Sequence, residues 1–171
     1  SGSLRDTIAT ATDGGVVDLS GLACSEIVLG SGAIVVGAAV ANLTIEGPGA
    51  DALAISGNDA DRLFEHQGTG TFTVSGLALG HGLAAGGGGC VLAHGNLALS
   101  AVTVPACRAG GAALANVSGG GIAVRGNATL ADARFTGNRA DGRERVRGGA
   151  ISVAGSLVAS GSMVTANHAD S

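Results

Sequence analysis

Few residues of this chain have both the type and the spacing that a reaction or a ligand would require. His81, between Gly80 and Gly82, is the histidine to weigh for acid–base cleavage of a glycoside. Cleaving a glycoside by that route needs two carboxyl groups facing the scissile bond. The sequence offers no Asp-Asp pair, no Asn-Thr-Asp and no Lys, so His81 reads as a plain corner residue. Asp51, Asp59 and Asp61 crowd one stretch, but a calcium loop needs several oxygen ligands at fixed offsets, as in Gly-Gly-x-Gly-x-Asp repeats. That pattern is missing, and the three read as solvated turn carboxylates. His66, His94 and His168 share no repeat position, and Cys24, Cys90 and Cys107 lack the paired short spacing of a zinc site. No catalytic residue, metal or cofactor is expected.

The three cysteines read as one bridge and one buried thiol, which suits an oxidising compartment. Arg139, Arg143, Arg145 and Arg147, with Asp141 and Glu144 among them, form the one charged cluster. A projecting loop of this kind grips an acidic glycan or a partner protein; a self-neutralising exposed loop is the commoner outcome.

Composition narrows the classes further. The chain has 171 residues, 46% apolar, with 32 Gly, no Trp, no Tyr and three Phe. One domain's worth of core is available, but it must be thin and filled by Val, Leu, Ile and Ala. The net charge of −4 and the lack of a basic face argue against nucleic acid. No apolar run approaches the roughly 20 residues that span a bilayer. All nine basic residues are Arg, a usage that reads as GC-rich codon bias and points to a bacterial, Gram-negative source. No secretion signal opens the chain, so a mature or trimmed fragment is expected.

What holds these residues is a repeat. Residues 70–84, 95–109, 126–140 and 155–169 align without a gap, their starts 25, 31 and 29 residues apart. That spacing belongs to solenoids, in which one coil cannot bury its core face alone. Apolar residues fall two, three and two apart, as in Phe72, Val74, Leu77 and Leu79, so two short strands meet at a corner such as Ser75-Gly76. A third strand precedes each of the last three windows in residues 88–93, 119–124 and 148–153, giving three strands around a triangular core. Residues 110–118 and 141–147 read as irregular loops. Upstream, residues 16–69 read as less regular first coils, and Ile55 to Ala60 matches Phe135 to Ala140. The match places Asn58, Asn138 and Asn167 at one corner, either as a ladder of amides bonded along the rod or as unconnected turn residues. Cys90 and Cys107 fall at the start of a strand and at that same corner, which makes them the pair chosen for the bridge. Residues 3–11 read as a capping helix with a Ser3–Asp6 capping box and Leu4, Ile8 and Ala11 on one face.

Residues 2–11 (GSLRDTIATA), then EIVL, then LTIEGPGADALAISGN followed by RLF, with recurring GG-x-(I/V), GN-x-L and T-x-N-x-A, resemble the bacterial CSLREA-domain or parallel β-helix repeat surface proteins. Here Ser-Gly-Ser-Leu-Arg-Asp stands where that family has Cys-Ser-Leu-Arg-Glu-Ala. The resemblance implies a right-handed parallel β-helix, secreted or on the outer membrane, akin to autotransporter passengers, polymorphic outer-membrane-protein repeats and adhesins. Gly80-His81-Gly82 also resembles the Gly-His-Gly of β-helical polygalacturonases, whose paired aspartates and Arg-x-Lys are not found here.

The expectation is therefore an all-β, right-handed parallel β-helix with three strands per coil, five or six coils and a short N-terminal capping helix, forming one domain over 1–171. Its expected function is that of a non-enzymatic stalk or adhesin-like passenger that binds a glycan or a cell-surface protein. A carbohydrate-active enzyme and a self-assembling filament subunit are the alternatives. The last window has no polar cap after it, so continuation of the natural chain, or end-to-end self-association, is expected.

Overall fold

Alternation within each short strand drives the architecture. Along Thr71–Ser75, Phe72 and Val74 are buried while Thr71, Thr73 and Ser75 face outward, the period of two that puts alternate side chains on opposite faces. A five-residue strand cannot bury Phe72 by itself; the coils above and below do so. The structure, a computed structural model, describes residues 3–111 and 116–171. It is an all-β solenoid of about five turns with one short N-terminal helix.

Four parallel sheets run along the rod. The first stacks six strands, Gly15–Asp18, Leu43–Glu46, Thr71–Ser75, Asn96–Ser100, Ala128–Ala131 and Leu157–Ser160. Its register aligns Leu43, Phe72, Leu97, Ala128 and Leu157 in one inward column. The second sheet also has six strands and includes Ala54–Ser56, Ala78–Gly80 and Thr103–Pro105. A third has four short strands, Leu83–Ala84, Arg108–Gly110, Arg139–Asp141 and His168–Asp170. The fourth, with five strands, runs from Ile34–Val36 through Phe64–His66, Val91–Ala93 and Ile122–Val124 to Ile151–Val153.

Three expectations need correction. The coil has three strands only at the start of the rod; from Thr71 onward the third sheet adds a fourth. Three of its four strands bury one side chain each, Ala84, Ala109 and Ala140, too short a run for periodicity to reveal. Residues 16–69 are as regular as the rest, since Gly15, Leu43 and Phe72 stand in register; the connection over residues 47–53 hides the repeat. Finally, the stretches expected as irregular loops pair with each other. Asn116–Ser118 lies parallel to Arg145–Arg147, and Val117 joins Ala109 and Ala140 in a small second core, with Val146 packed against it. Residues 112–115 of that stretch lie outside the described residues.

Corners recur at fixed window positions. Gly76, Ala101, Asp132 and Gly161 have φ of 61, 50, 52 and 58°, the left-handed turn expected there. A second column, His81, Ala106, Gly137 and Ala166, turns the same way with φ of 53, 53, 67 and 54°. At Gly119 and Gly148, with φ of 65 and 64°, a β-carbon would also collide with the carbonyls of Ile122 and Ile151, so only glycine fits.

Helix α1 spans Leu4–Ala9, with Ser3 and Asp6 in a reciprocal capping box. Ile8 is buried, and Leu4 and Ala11 pack against the core, so the helix closes the open end of the first coil. Arg5 anchors it by donating to the carbonyls of Gly32 and Ala33. The other end is bare. Leu157 and Val164, inward by register, are 47% and 53% exposed because no described coil covers them.

Candidate functional site

The corner that sequence comparison singled out is a working part of the rod. Asn138 is buried, its Oδ1 accepts from the Cys107 N–H at 2.9 Å, and its Nδ2 donates to the Val104 carbonyl at 2.8 Å. Asn167 repeats the arrangement one coil on: its Oδ1 accepts from the Asn138 N–H and its Nδ2 donates to Phe135. The two amides bond directly, Asn138 Nδ2 to Asn167 Oδ1 at 2.9 Å. Asn58 is not in this ladder. It is exposed with φ 55°, and the intervening coils place Gly82 and Cys107 at the equivalent position, so no amide spans the gap.

Cys90 and Cys107 form a disulfide with α-carbons 5.5 Å apart. The next coils hold Gly121 against Asn138 and Ala150 against Asn167 at the same register, so the bridge occupies a place filled elsewhere by a small residue and an amide. Cys24 is exposed, not buried as expected, because it sits in the connection before Glu26–Val28 on the outside of the first coil. A second amide column went unread. Asn42 Oδ1 accepts from Thr71 N–H, Asn96 Oδ1 from Asn127 N–H and Asn127 Oδ1 from Ser156 N–H. Gly95-Asn96 and Gly126-Asn127, one coil apart, carry its signal in the sequence.

The titratable groups separate into paired and unpaired sets. His81 is the corner itself, and its Nδ1 lies 3.4 Å from Asp59 Oδ2 with both side chains largely exposed. His66 is fully buried, stacked on Phe72 at 5.6 Å, with Nε2 3.2 Å from the Val40 carbonyl. A carbonyl only accepts, so Nε2 carries the proton and Nδ1 is left without a partner. Burial lowers its pKa, against the opposing bond to Val40. On the third sheet Arg108, Arg139 and His168 stack in one column along the rod and Asp141 and Asp170 in the next, and the two columns pair. Arg108 holds Asp141 at 2.9 Å, Arg139 bonds Asp141 and Asp170, and His168 meets Asp170 at 3.0 Å. The carboxylate of Asp141 raises the pKa of Arg139.

The four arginines of the expected contact loop therefore part company. Arg139 is held in that ladder, while Arg143, Arg145 and Arg147 are exposed and make no ion pair among the described residues. Arg147 stands on the two-stranded flap, which overhangs the outer face of the fourth sheet. Between flap and sheet runs a groove of about 680 Å³. Its floor is Leu92, Ala123 and Ser152, the outward residues of successive strands. Ser118 and Arg147 line it from the flap, Arg125 from the end of Ile122–Val124, and Arg62 from the coil before. No carboxylate is among its described lining residues. Arg62 is already engaged, donating to the Gly87 and Gly88 carbonyls and to Glu65, whereas Arg125 and Arg147 have no ionic partner among the described residues. Composition hid this site because Arg62, Arg125 and Arg147 are far apart in the chain.

A neighbouring hollow of about 560 Å³ is lined by Asp61, Arg62 and Glu65. Glu65 accepts from Arg62 at 3.1 Å through one oxygen and from Gln67 at 3.2 Å through the other. Both oxygens of Glu65 are thus engaged as acceptors. Among the described residues no group of three or more His, Cys, Asp or Glu is placed to hold a metal. No described helix is long and apolar enough to cross a membrane.

No family model, curated protein or solved structure matches the chain. The reading of its function accordingly rests on the geometry.

Proposed function

We propose that this chain is a non-enzymatic, exported β-solenoid of the bacterial surface or secreted type, a stalk that presents a flap and groove for binding a glycan or a cell-surface protein. One observation carries the reading. Along the third sheet the charges of the rod neutralise one another, while Arg125 and Arg147 converge on a groove with no acidic partner. A pair of unneutralised cations at a concave surface is a means of binding, and with no carboxylate among the described lining it has no acid or base for hydrolysis.

Export is supported by the Cys90–Cys107 disulfide, since such bridges persist in oxidising compartments. The resemblance of residues 43–58 to CSLREA-domain repeats supports the same placement.

A carbohydrate-active enzyme is the second reading, favoured by Asp61 and Glu65 lining one hollow. An array of glycans probed with the purified chain, followed by a turnover assay on every glycan retained, separates the two. Retention without shortening of the glycan is expected. Turnover lost in Asp61→Asn or Glu65→Gln would transfer the function to the hollow, and turnover lost in His81→Ala would transfer it to the corner beside Asp59.

A further inference from the structure

We propose that the groove between the flap and the fourth sheet is a binding site for a uronate-bearing polysaccharide, with Arg125 and Arg147 as its carboxylate-binding residues. This rests on the reading of the chain as a binding solenoid and gives that reading a ligand class.

Charge comes first. Arg125 and Arg147 enter the groove without a counter-charge among the described residues, and a guanidinium presents a planar fork that matches a carboxylate through two parallel hydrogen bonds. Arg62, fixed by the Gly87 and Gly88 carbonyls and neutralised by Glu65, shapes the wall of the groove without adding net charge. Burial lowers the pKa of Arg62, against the opposing attraction of Glu65.

The rest of the lining decides what kind of anion fits. All three Phe are buried and the chain has no Trp or Tyr, so no aromatic platform is available for stacking a neutral sugar ring. Recognition of a glycan here must run through charge and hydroxyl contacts. Ser118 on the flap and Ser152 on the floor supply hydroxyls, and Leu92 and Ala123 supply an apolar strip for the carbon face of a sugar. A peptide fits less well. The floor is the face of a sheet whose strands are already paired on both sides from Phe64–His66 to Ile122–Val124, so it offers no edge to extend. The groove follows the rod axis across these coils, as a linear polymer would.

The test is calorimetric titration of the purified 171-residue chain at low and high salt with four probes: oligogalacturonate, its methyl ester, a sulfated dextran and polyglutamate. Oligogalacturonate is expected to bind, with affinity falling as salt rises. Its methyl ester, which has the same sugar without the charge, is expected to bind at least tenfold more weakly. Arg125→Gln and Arg147→Gln should each weaken binding by about tenfold, the loss of one charge-assisted pair. Arg139→Gln, which alters a charge outside the groove, should leave binding unchanged. The Arg variants sit on exposed side chains, and an unchanged circular dichroism spectrum confirms that each is folded. Equal binding of the methyl ester, tighter binding of dextran sulfate or polyglutamate, or full binding by the Arg125→Gln, Arg147→Gln double variant would each overturn the proposal. Failure with all four probes while the array retains another glycan would sink the uronate assignment and leave the binding reading standing. Cleavage of the oligomer would sink both.

Discussion

Asn138 makes three side-chain hydrogen bonds in a buried place. Truncating it leaves the Cys107 N–H without its acceptor in a buried place, takes one donor from the Val104 carbonyl and strips Asn167 Oδ1 of another. Each orphaned group costs about 1–3 kcal/mol, so Asn138→Ala should lower stability by about 2–4 kcal/mol in urea denaturation. Asn58→Ala orphans no buried group and should cost less, about 1 kcal/mol, from the left-handed φ of 55° that an alanine tolerates less well. Repetition of a residue type along a sequence does not say which copies touch; only Asn138 and Asn167 stand in adjacent coils. His66 behaves in the opposite sense to a salt-bridged group. Its folded pKa lies below the ordinary 6.5, so above that value the folded and unfolded chains are both neutral and stability is full. As pH falls below 6.5 the unfolded chain takes up a proton that the folded one refuses, and stability falls until the folded pKa is passed. Thermal melts of the wild type should therefore fall with acidification more steeply than those of His66→Leu. Parallel pH profiles would show that the buried imidazole contributes nothing.

Among the elements, the bridge between Cys90 and Cys107 closes a separation of 17 residues. Constraint of a loop that size in the unfolded chain is worth about 3 kcal/mol. Replacing both cysteines by the Gly and Asn found at Gly121 and Asn138 should return part of that loss by rebuilding the amide contact. The double Ala variant should lose nearly all of it, and denaturant midpoints for the two variants decide the matter. Much at this scale was legible beforehand. Spacings of two in Phe72 and Val74, and again in Leu77 and Leu79, located the strands and the Ser75-Gly76 corner. The GG-x-(I/V) segments located the fourth sheet, and Ser3 with Asp6 located the cap. The third sheet was not legible, because Leu83–Ala84, Arg108–Gly110 and Arg139–Asp141 each bury only one alanine, His168–Asp170 buries none, and a single small residue has no period. The flap was missed for a related reason: Val117 and Val146 pair across 29 residues and look like isolated apolar residues in polar loops. The groove inherits that obscurity, since it exists only once the flap is placed over Ala123.

At the scale of the molecule, the rod is closed by α1 at one end and presents apolar core at the other. Leu157 and Val164 face the axis half-exposed, alongside strands whose backbone groups have no partner strand beyond them. The 171-residue chain should therefore associate through this coil, and Val164→Arg should shift sedimentation toward the monomer, with little cost to folding because the position is already 53% exposed. A monomer at every concentration for both proteins would contradict the open edge. The lateral surface carries the function proposed here, and its nine arginines give a direct way to read it, since there is no Lys to confuse the signals. The Nε–Hε resonances of the arginines, recorded during titration with oligogalacturonate, test the account most directly. Saturable shifts at Arg125 and Arg147, with Arg108 and Arg139 unmoved and the oligomer intact, are the result it predicts. Movement of all the arginines together, shifts confined to Arg108 and Arg139, or a shortened oligomer would contradict it.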